Sequence, residues 1–257
     1  MPQQFIRSSV LYSRILYIVR FSRLFQNRPD SHSTVADTVV VIDVLRSFTT
    51  AAVALARGAV AVYPVAAPGV LDTISSTVDR IVSVGAAAGG APVPGFDYGN
   101  SPSALSNADL AGRNVVISTA AGVRGLHLFR QAKHLFAASL VCASATVRAI
   151  KEAGCSEVCF VITGEWDDRD GDEDVACADY MEALLRGETV APQAFAQRVR
   201  GSDFGARFAT GIWANLPTAD LDIASHVDLF EFAMPVRRQA DLLVIHSASH
   251  NGHRARP

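Results

Sequence analysis

From residue 37 onward, short apolar runs alternate with longer segments of helical character. The pattern predicts strands over 38–42, 60–65, 80–84, 114–118, 134–138 and 157–162. Between them it predicts helices over 47–57, 70–79, 123–132, 140–153 and 172–186. Beyond residue 186 the pattern weakens, with 194–200, 203–210 and 218–225 reading as helices and 227–236 as a final edge strand. Residues 85 to 102 carry five glycines together with Pro92, Pro94 and Pro102 and read as one long loop, a length that in a compact domain is usually functional or disordered. Strand and helix in alternation imply a three-layer α/β/α fold with a mostly parallel sheet covered on both faces. The chain shows no internal repeat and no linker, so residues 35–245 read as a single α/β domain, residues 1–34 as an N-terminal extension and residues 246–257 as a disordered tail.

Composition narrows this picture. At 257 residues, 49% of them hydrophobic, the chain buries a substantial core, and its formal charge of -2 gives no case for nucleic acid or a membrane surface. The charge is uneven, because residues 1–30 hold five arginines against Asp30 alone. Residues 8–25 mix arginines with Leu, Ile, Tyr and Phe and contain no acid, which fits a targeting segment or membrane-surface helix as well as a plain extension. The plain extension is the preferred reading, and Ile15–Val19 is far too short to span a bilayer. Cys142, Cys155, Cys159 and Cys177 form no CxxC pair and read as reduced, buried thiols of a cytoplasmic protein.

Four segments carry candidate chemistry. In VVVIDVLRSFTT from Val39, the predicted strand ends on Asp43, and Arg46, Ser47, Thr49 and Thr50 follow at a helix start. Open α/β sheets place ligands at that position, and a carboxylate beside an arginine and hydroxyls suits a metal-bridged anion. The plain alternative is a helix cap. Leu45 stands where phosphatases that form an aspartyl-phosphate carry a second Asp, so that machinery is excluded. In GFDYGNSP from Gly95, Asp97, Asn100 and Ser101 crowd polar groups between glycines, as a binding loop or an Asx-stabilised turn would. In STAAGVRG from Ser118, small residues between strand and helix allow backbone N–H groups to approach an anion, with Arg124 close by, although tight packing explains them equally. In GEWDDRDGDED from Gly164, seven acids face one arginine. Most are solvated surface, but Glu165 follows a strand end and Glu173 and Asp174 open a helix, which makes those three the candidates for a metal or a general base.

Taken in order, these segments resemble the 2-phosphosulfolactate phosphatase (ComB) family. VVVIDVLRSFTT is similar to its VVIDVLRATST-like segment, PGFDYGNSP to its PGFDLGNSP-like segment, and STAAGVRGL to its TTNGTRA-like turn. TGEWDDRDGDEDVACAD resembles its glycine-Glu segment with an acid pair before Cys-Ala. The resemblance covers roughly residues 38–236 and implies a Mg²⁺-dependent hydrolase of a phosphate ester of a small sulfonated hydroxy acid. Carried over by position, it implies Asp43, Arg46, Glu165 and Asp174 as catalytic, with Asp43, Glu165 and Asp174 on the metal. Ser47, Asp97, Asn100, Ser101 and Arg124 are implied as substrate-binding. The implied partner is a small anionic phosphate ester, with no nucleic acid and no membrane, and a homodimer is left open. The chain departs from the pattern at GAAAGG from Gly85, where the family has a GE-and-Arg pattern. It departs again at Ala121 in place of Asn, and at Ala224, Ser225 and His226, where the family often has a Cys. Each missing charged contact removes about 2–3 kcal/mol of transition-state stabilisation. A non-catalytic paralogue that binds a small anionic metabolite is therefore the second reading. A Rossmann-type nucleotide binder, the third, lacks the GxGxxG spacing.

Overall fold

The computed structural model describes residues 19–28, 36–87 and 90–249. In chain order the first half runs β1 (Arg20–Phe25), β2 (Thr38–Ile42), α1 (Ser47–Ala56), β3 (Ala61–Pro64), α2 (Leu71–Ser75), β4 (Ile81–Gly85), β5 (Tyr98–Gly99), α3 (Pro102–Leu105), β6 (Asn114–Ser118) and α4 (Gly122–Leu128). The second half runs β7 (His134–Ala138), α5 (Ala143–Glu152), β8 (Glu157–Ile162), β9 (Glu165–Trp166), β10 (Arg169–Asp170), α6 (Asp172–Arg186), α7 (Pro192–Gly201), α8 (Asp203–Ala209), α9 (Thr218–Ala224), β11 (Phe232–Gln239), β12 (Leu242–Ile245) and β13 (Ala248–Ser249).

One large sheet organises the molecule, in the order β1-β8-β2-β7-β11-β12-β3-β6-β4-β5. Strands β1, β8, β2 and β7 are mutually parallel, as are β3, β6, β4 and β5. The hairpin β11–β12 pairs antiparallel with its neighbour on each side and joins the two parallel blocks. The mostly parallel sheet and the helices on its faces give the α/β/α layering that the alternating pattern predicts. Side chains of β2 alternate between two cores, as the pleat requires. Val39 and Val41 join one cluster with α1 and α4, while Val40 and Ile42 join another with α5 and α6. Helix α1 is buried along its length from Ser47 to Leu55, because it packs against β7 in one block and against β3 and β6 in the other.

The termini depart from expectation. Residues 20–25 of the predicted extension form β1, parallel to β8 at the sheet edge. Phe21 stacks on Phe160, and Arg23 pairs with Asp179 and Glu182, each at 2.6 Å. Of the arginines that suggested a separate basic segment, Arg23 answers acids of α6, Arg20 pairs with Glu157 of β8 and Arg28 with Glu165 of β9. The rest of that segment, up to residue 18, lies outside the described residues. The predicted final edge strand is β11, and it lies inside the sheet between β7 and β12. Pro235 is accommodated inside the sheet although proline is usual at edges, and the hairpin turn contains Ala240 at φ 53 rather than an Asn-Gly pair that would have announced it. The predicted tail begins with β13, which pairs with β11.

Candidate active site

Asp43 closes β2 and is 4% exposed. Its Oδ1 accepts the Ser47 N–H at 2.9 Å, and its Oδ2 accepts the Gly122 N–H at 2.8 Å. One carboxylate thus ties the start of α1 to the start of α4, and so links β2 to β6 of the other block. A Cβ at Gly122 would sit 2.7 Å from Asp43 Oδ2 and 2.9 Å from Phe48 Cζ, so the position admits only glycine. Ser47 Oγ donates to Thr119 Oγ1 at 2.9 Å across the same junction. The cap reading and the functional reading of Asp43 are compatible. The two N–H contacts occupy about two of the four lone-pair sites of a carboxylate.

Asp174, at the start of α6, holds the neighbouring junction. Its Oδ1 accepts Val44 N–H at 2.8 Å, and its Oδ2 accepts Thr163 N–H at 3.0 Å and Gly164 N–H at 2.8 Å. Burial, with Glu173 and Asp43 nearby, pushes its carboxyl well above the usual range. Glu173 is 1% exposed, and among the described residues neither of its oxygens has a hydrogen-bond partner. Burial pushes its carboxyl up to about 7. A Cβ on Gly164 would fall 2.5 Å from Glu173 Oε1, so this glycine makes room for the acid.

Arg46 follows a cis Leu45–Arg46 peptide and is 5% exposed. Its Nη1 donates to Asp220 Oδ2 at 2.8 Å and to the Asn215 carbonyl at 3.0 Å, and its guanidinium lies 5.3 Å from the Phe208 ring. A Cβ on Gly90 would come within 3.4 Å of Arg46 Nη2, so that nitrogen faces the glycine-rich loop. Asp220, fully buried at the start of α9, is the hub here. Its Oδ1 accepts Ser101 Oγ at 2.8 Å, Ser103 Oγ at 2.6 Å and Ser103 N–H at 2.9 Å. The first two sequence motifs therefore meet through a residue that belongs to neither. Asp220 carried no local signal, since an acid in the first turn of a helix is ordinary.

The remaining predicted residues divide. Asn100 is buried, with its Oδ1 unpartnered. Asp97 anchors its loop to β4: its Oδ2 accepts Ser83 N–H at 2.8 Å and Ser83 Oγ at 2.7 Å, and these donors hold its carboxyl below the usual range. Glu165 pairs with Arg28, whose Nε lies 2.8 Å from Glu165 Oε2. Asn27 donates to the Glu165 carbonyl at 2.7 Å and accepts from Arg124 Nη1 at 3.2 Å. Glu165 and Arg124 thus share one exposed rim, while Asp43, Arg46, Ser47 and Asp174 lie on the buried floor.

The three carboxylates expected on a metal do not gather as a ready cage. Asp43 and Asp174 are held by backbone N–H groups and Glu165 by Arg28. Among the described residues no group of three or more His, Cys, Asp or Glu side chains is arranged to hold a metal ion.

The mostly parallel sheet, with a buried carboxylate, arginine and hydroxyls beside its strand ends, defines an α/β protein. Comparison with known proteins gives the family. The 2-phosphosulpholactate phosphatase family matches residues 25–231, and the chain belongs to it. A probable 2-phosphosulfolactate phosphatase of Deinococcus radiodurans is 36% identical over 208 residues, covering 78% of this chain and 84% of that protein. One of Thermus thermophilus is 37% identical over 158 residues, covering 61% of this chain and 65% of that protein. One of Bacillus subtilis is 26% identical over 211 residues, covering 82% and 91%.

Proposed function

We propose that the chain hydrolyses a phosphate monoester of a small sulfonated acid, 2-phosphosulfolactate, to 3-sulfolactate and phosphate. The observation that supports this reading is the burial of Asp43, Arg46 and Ser47 between the end of β2 and the start of α1, within the family match. Arg46 is the anion clamp. Asp220 and the Asn215 carbonyl hold Nη1, which leaves Nη2 directed at the glycine-rich loop for a phosphoryl or sulfonate oxygen. Burial strengthens that contact, because charge interactions grow as water is excluded. Ser47 and Thr119 offer a pair of hydroxyls where α1 begins. Asp43 is oriented by two N–H donors and takes a proton from a water that attacks phosphorus, as the ester P–O bond breaks and the departing 3-sulfolactate oxygen takes a proton from solvent.

Magnesium dependence is a separate part of the proposal, supported by the family resemblance alone, and no step above is routed through the ion. When bound, Mg²⁺ neutralises charge on phosphoryl oxygens. The four free, buried cysteines support a reducing compartment such as the cytoplasm. Among the described residues no helix is long and apolar enough to cross a membrane.

The second reading is a binding protein without turnover. Ala121 favours it, since this position caps α4 with no side-chain hydrogen bond. Phosphate release from 2-phosphosulfolactate, with Mg²⁺ and with EDTA, separates the two. Release that Asp43→Asn abolishes supports the enzyme, and ligand binding with no release supports the binder.

A further inference from the structure

The molecule has a second feature suited to anions, at the opposite end of the strands from Asp43. A cleft of about 720 Å³ opens where β7 begins and the β11–β12 hairpin turns. Small-molecule sites run roughly 300–1,000 Å³. His134, at the cleft, pairs with Thr38, whereas Ala138 pairs with Ile42 next to Asp43. The four intervening strand steps put the two places about 13 Å apart.

The cleft's charge is one-sided. Arg130, Lys133, His134, Arg237 and Arg238 line it, against the single acid Asp241. Elsewhere eight arginines, Arg20, Arg23, Arg28, Arg46, Arg186, Arg198, Arg200 and Arg207, each hold a carboxylate, while Arg57, Arg80, Arg113, Arg124, Arg148 and Arg169 form no ion pair among the described residues. Among the described residues no ion pair involves Arg130, Lys133, His134, Arg237 or Arg238. Arg238 donates instead to the neutral amide of Gln131 at 2.6 Å. Arg130 Nε is buried and has no hydrogen-bond partner among the described residues. An orphaned guanidinium N–H is costly unless something accepts from it. Beneath these groups Leu135, Phe136 and Leu243 are buried and close the floor.

We propose that this cleft is a second binding site, distinct from the floor around Asp43, and that it takes a small polyanion carrying a diphosphate or two separate phosphate groups. A guanidinium fork matches phosphate oxygens in pairs. Cations spread over both the segment before β7 (Arg130, Lys133) and β11 of the hairpin (Arg237, Arg238) call for a ligand charged at more than one point. The inference does not depend on the reaction proposed above.

The test is calorimetric titration of the full chain with inorganic pyrophosphate, in EDTA at low salt. Lys133 and Arg237 are both exposed, so the charge reversals Lys133→Glu and Arg237→Glu leave the core untouched. Their combination is expected to weaken pyrophosphate binding at least tenfold, while Arg46→Lys changes the cleft's affinity less than twofold. Inorganic phosphate, with one charged centre, is expected to bind the cleft at least tenfold more weakly than pyrophosphate. Binding that survives the double reversal, or that Arg46→Lys removes entirely, overturns the site. Phosphate binding as tight as pyrophosphate binding overturns the polyanion assignment. Sedimentation of the same variants supplies a further check. A dimer in the unaltered chain that the reversals dissociate makes the patch an interface between copies and overturns the small-molecule reading.

Discussion

The floor and the rim of the site are built on different physics. On the floor, Asp43, Asp174 and Asp220 are each nearly or fully buried and accept hydrogen bonds from backbone N–H groups, Asp174 and Asp220 from hydroxyls as well. Backbone donors come from fixed turns, so the acids cannot rotate without breaking the junctions they hold. On the rim, Glu165 and Arg124 rely on Arg28 and Asn27, side chains just past the end of β1. The Arg28–Glu165 pair is 57% and 24% exposed. Exposed pairs contribute little, because water screens them and long side chains lose freedom. The same motifs therefore supply one set of groups fixed by the fold and another set at the surface, free to adapt to a substrate.

Substitutions can break or sharpen that contrast. Asp220→Asn should have the largest effect. It leaves the Arg46 cation buried without its counter-charge, a loss of about 3–5 kcal/mol in folding stability. As a positioning residue, Asp220 should also raise KM more than it lowers kcat in whatever protein remains folded, measured by denaturant unfolding and steady-state kinetics together. Glu173→Gln comes next and has the opposite sign. The folded carboxyl titrates at about 7 against a reference of 4.5, so the folded state keeps a proton that the unfolded chain releases between those values. Stability is therefore full below about pH 4.5 and falls as pH rises to 7. The amide removes this loss, and at pH 8 in EDTA the variant should be more stable by roughly 3 kcal/mol. A residual slope of the same sign should remain from Asp174, whose carboxyl is also raised. A flat profile in the unaltered chain would show that Glu173 is not held neutral.

Gly122→Ala should follow. Its Cβ would press on Asp43 and Phe48, both rigidly held. Overpacking of this kind costs about 1–3 kcal/mol, and the loss should appear both in unfolding and in turnover because Asp43 itself must move. The smallest effects belong to the rim. Arg124→Gln and Glu165→Gln should each change stability by less than about 1 kcal/mol. Stability losses on the rim as large as those on the floor would erase the distinction.

Much of this architecture was legible in the sequence. The apolar runs ending at Ile42, Ser118, Ala138 and Ile162 are strands, and α1 and α6 begin where polar residues follow them. Long buried strands announce themselves because both faces are covered. The edge strand β1 did not, since its exposed arginines imitate a tail. The β11–β12 hairpin was hidden by Pro235 and by a turn without Asn-Gly. For the site, the residues next to strand ends were found, because position on the chain implies position on the sheet. Asp220 and Thr119 were missed because long-range convergence decides their roles. Asp97 drew notice for its crowded motif, and its structural partner is Ser83, 14 residues away in sequence.

The central claim is that the Asp43–Arg46 floor forms a phosphatase site, and phosphate release from 2-phosphosulfolactate tests it most directly. The purified full chain should release phosphate, and Arg46→Lys, shown folded by an unchanged circular dichroism spectrum, should release it about 100- to 1,000-fold more slowly. No release by the unaltered chain, or equal release by the folded variant, would contradict the claim.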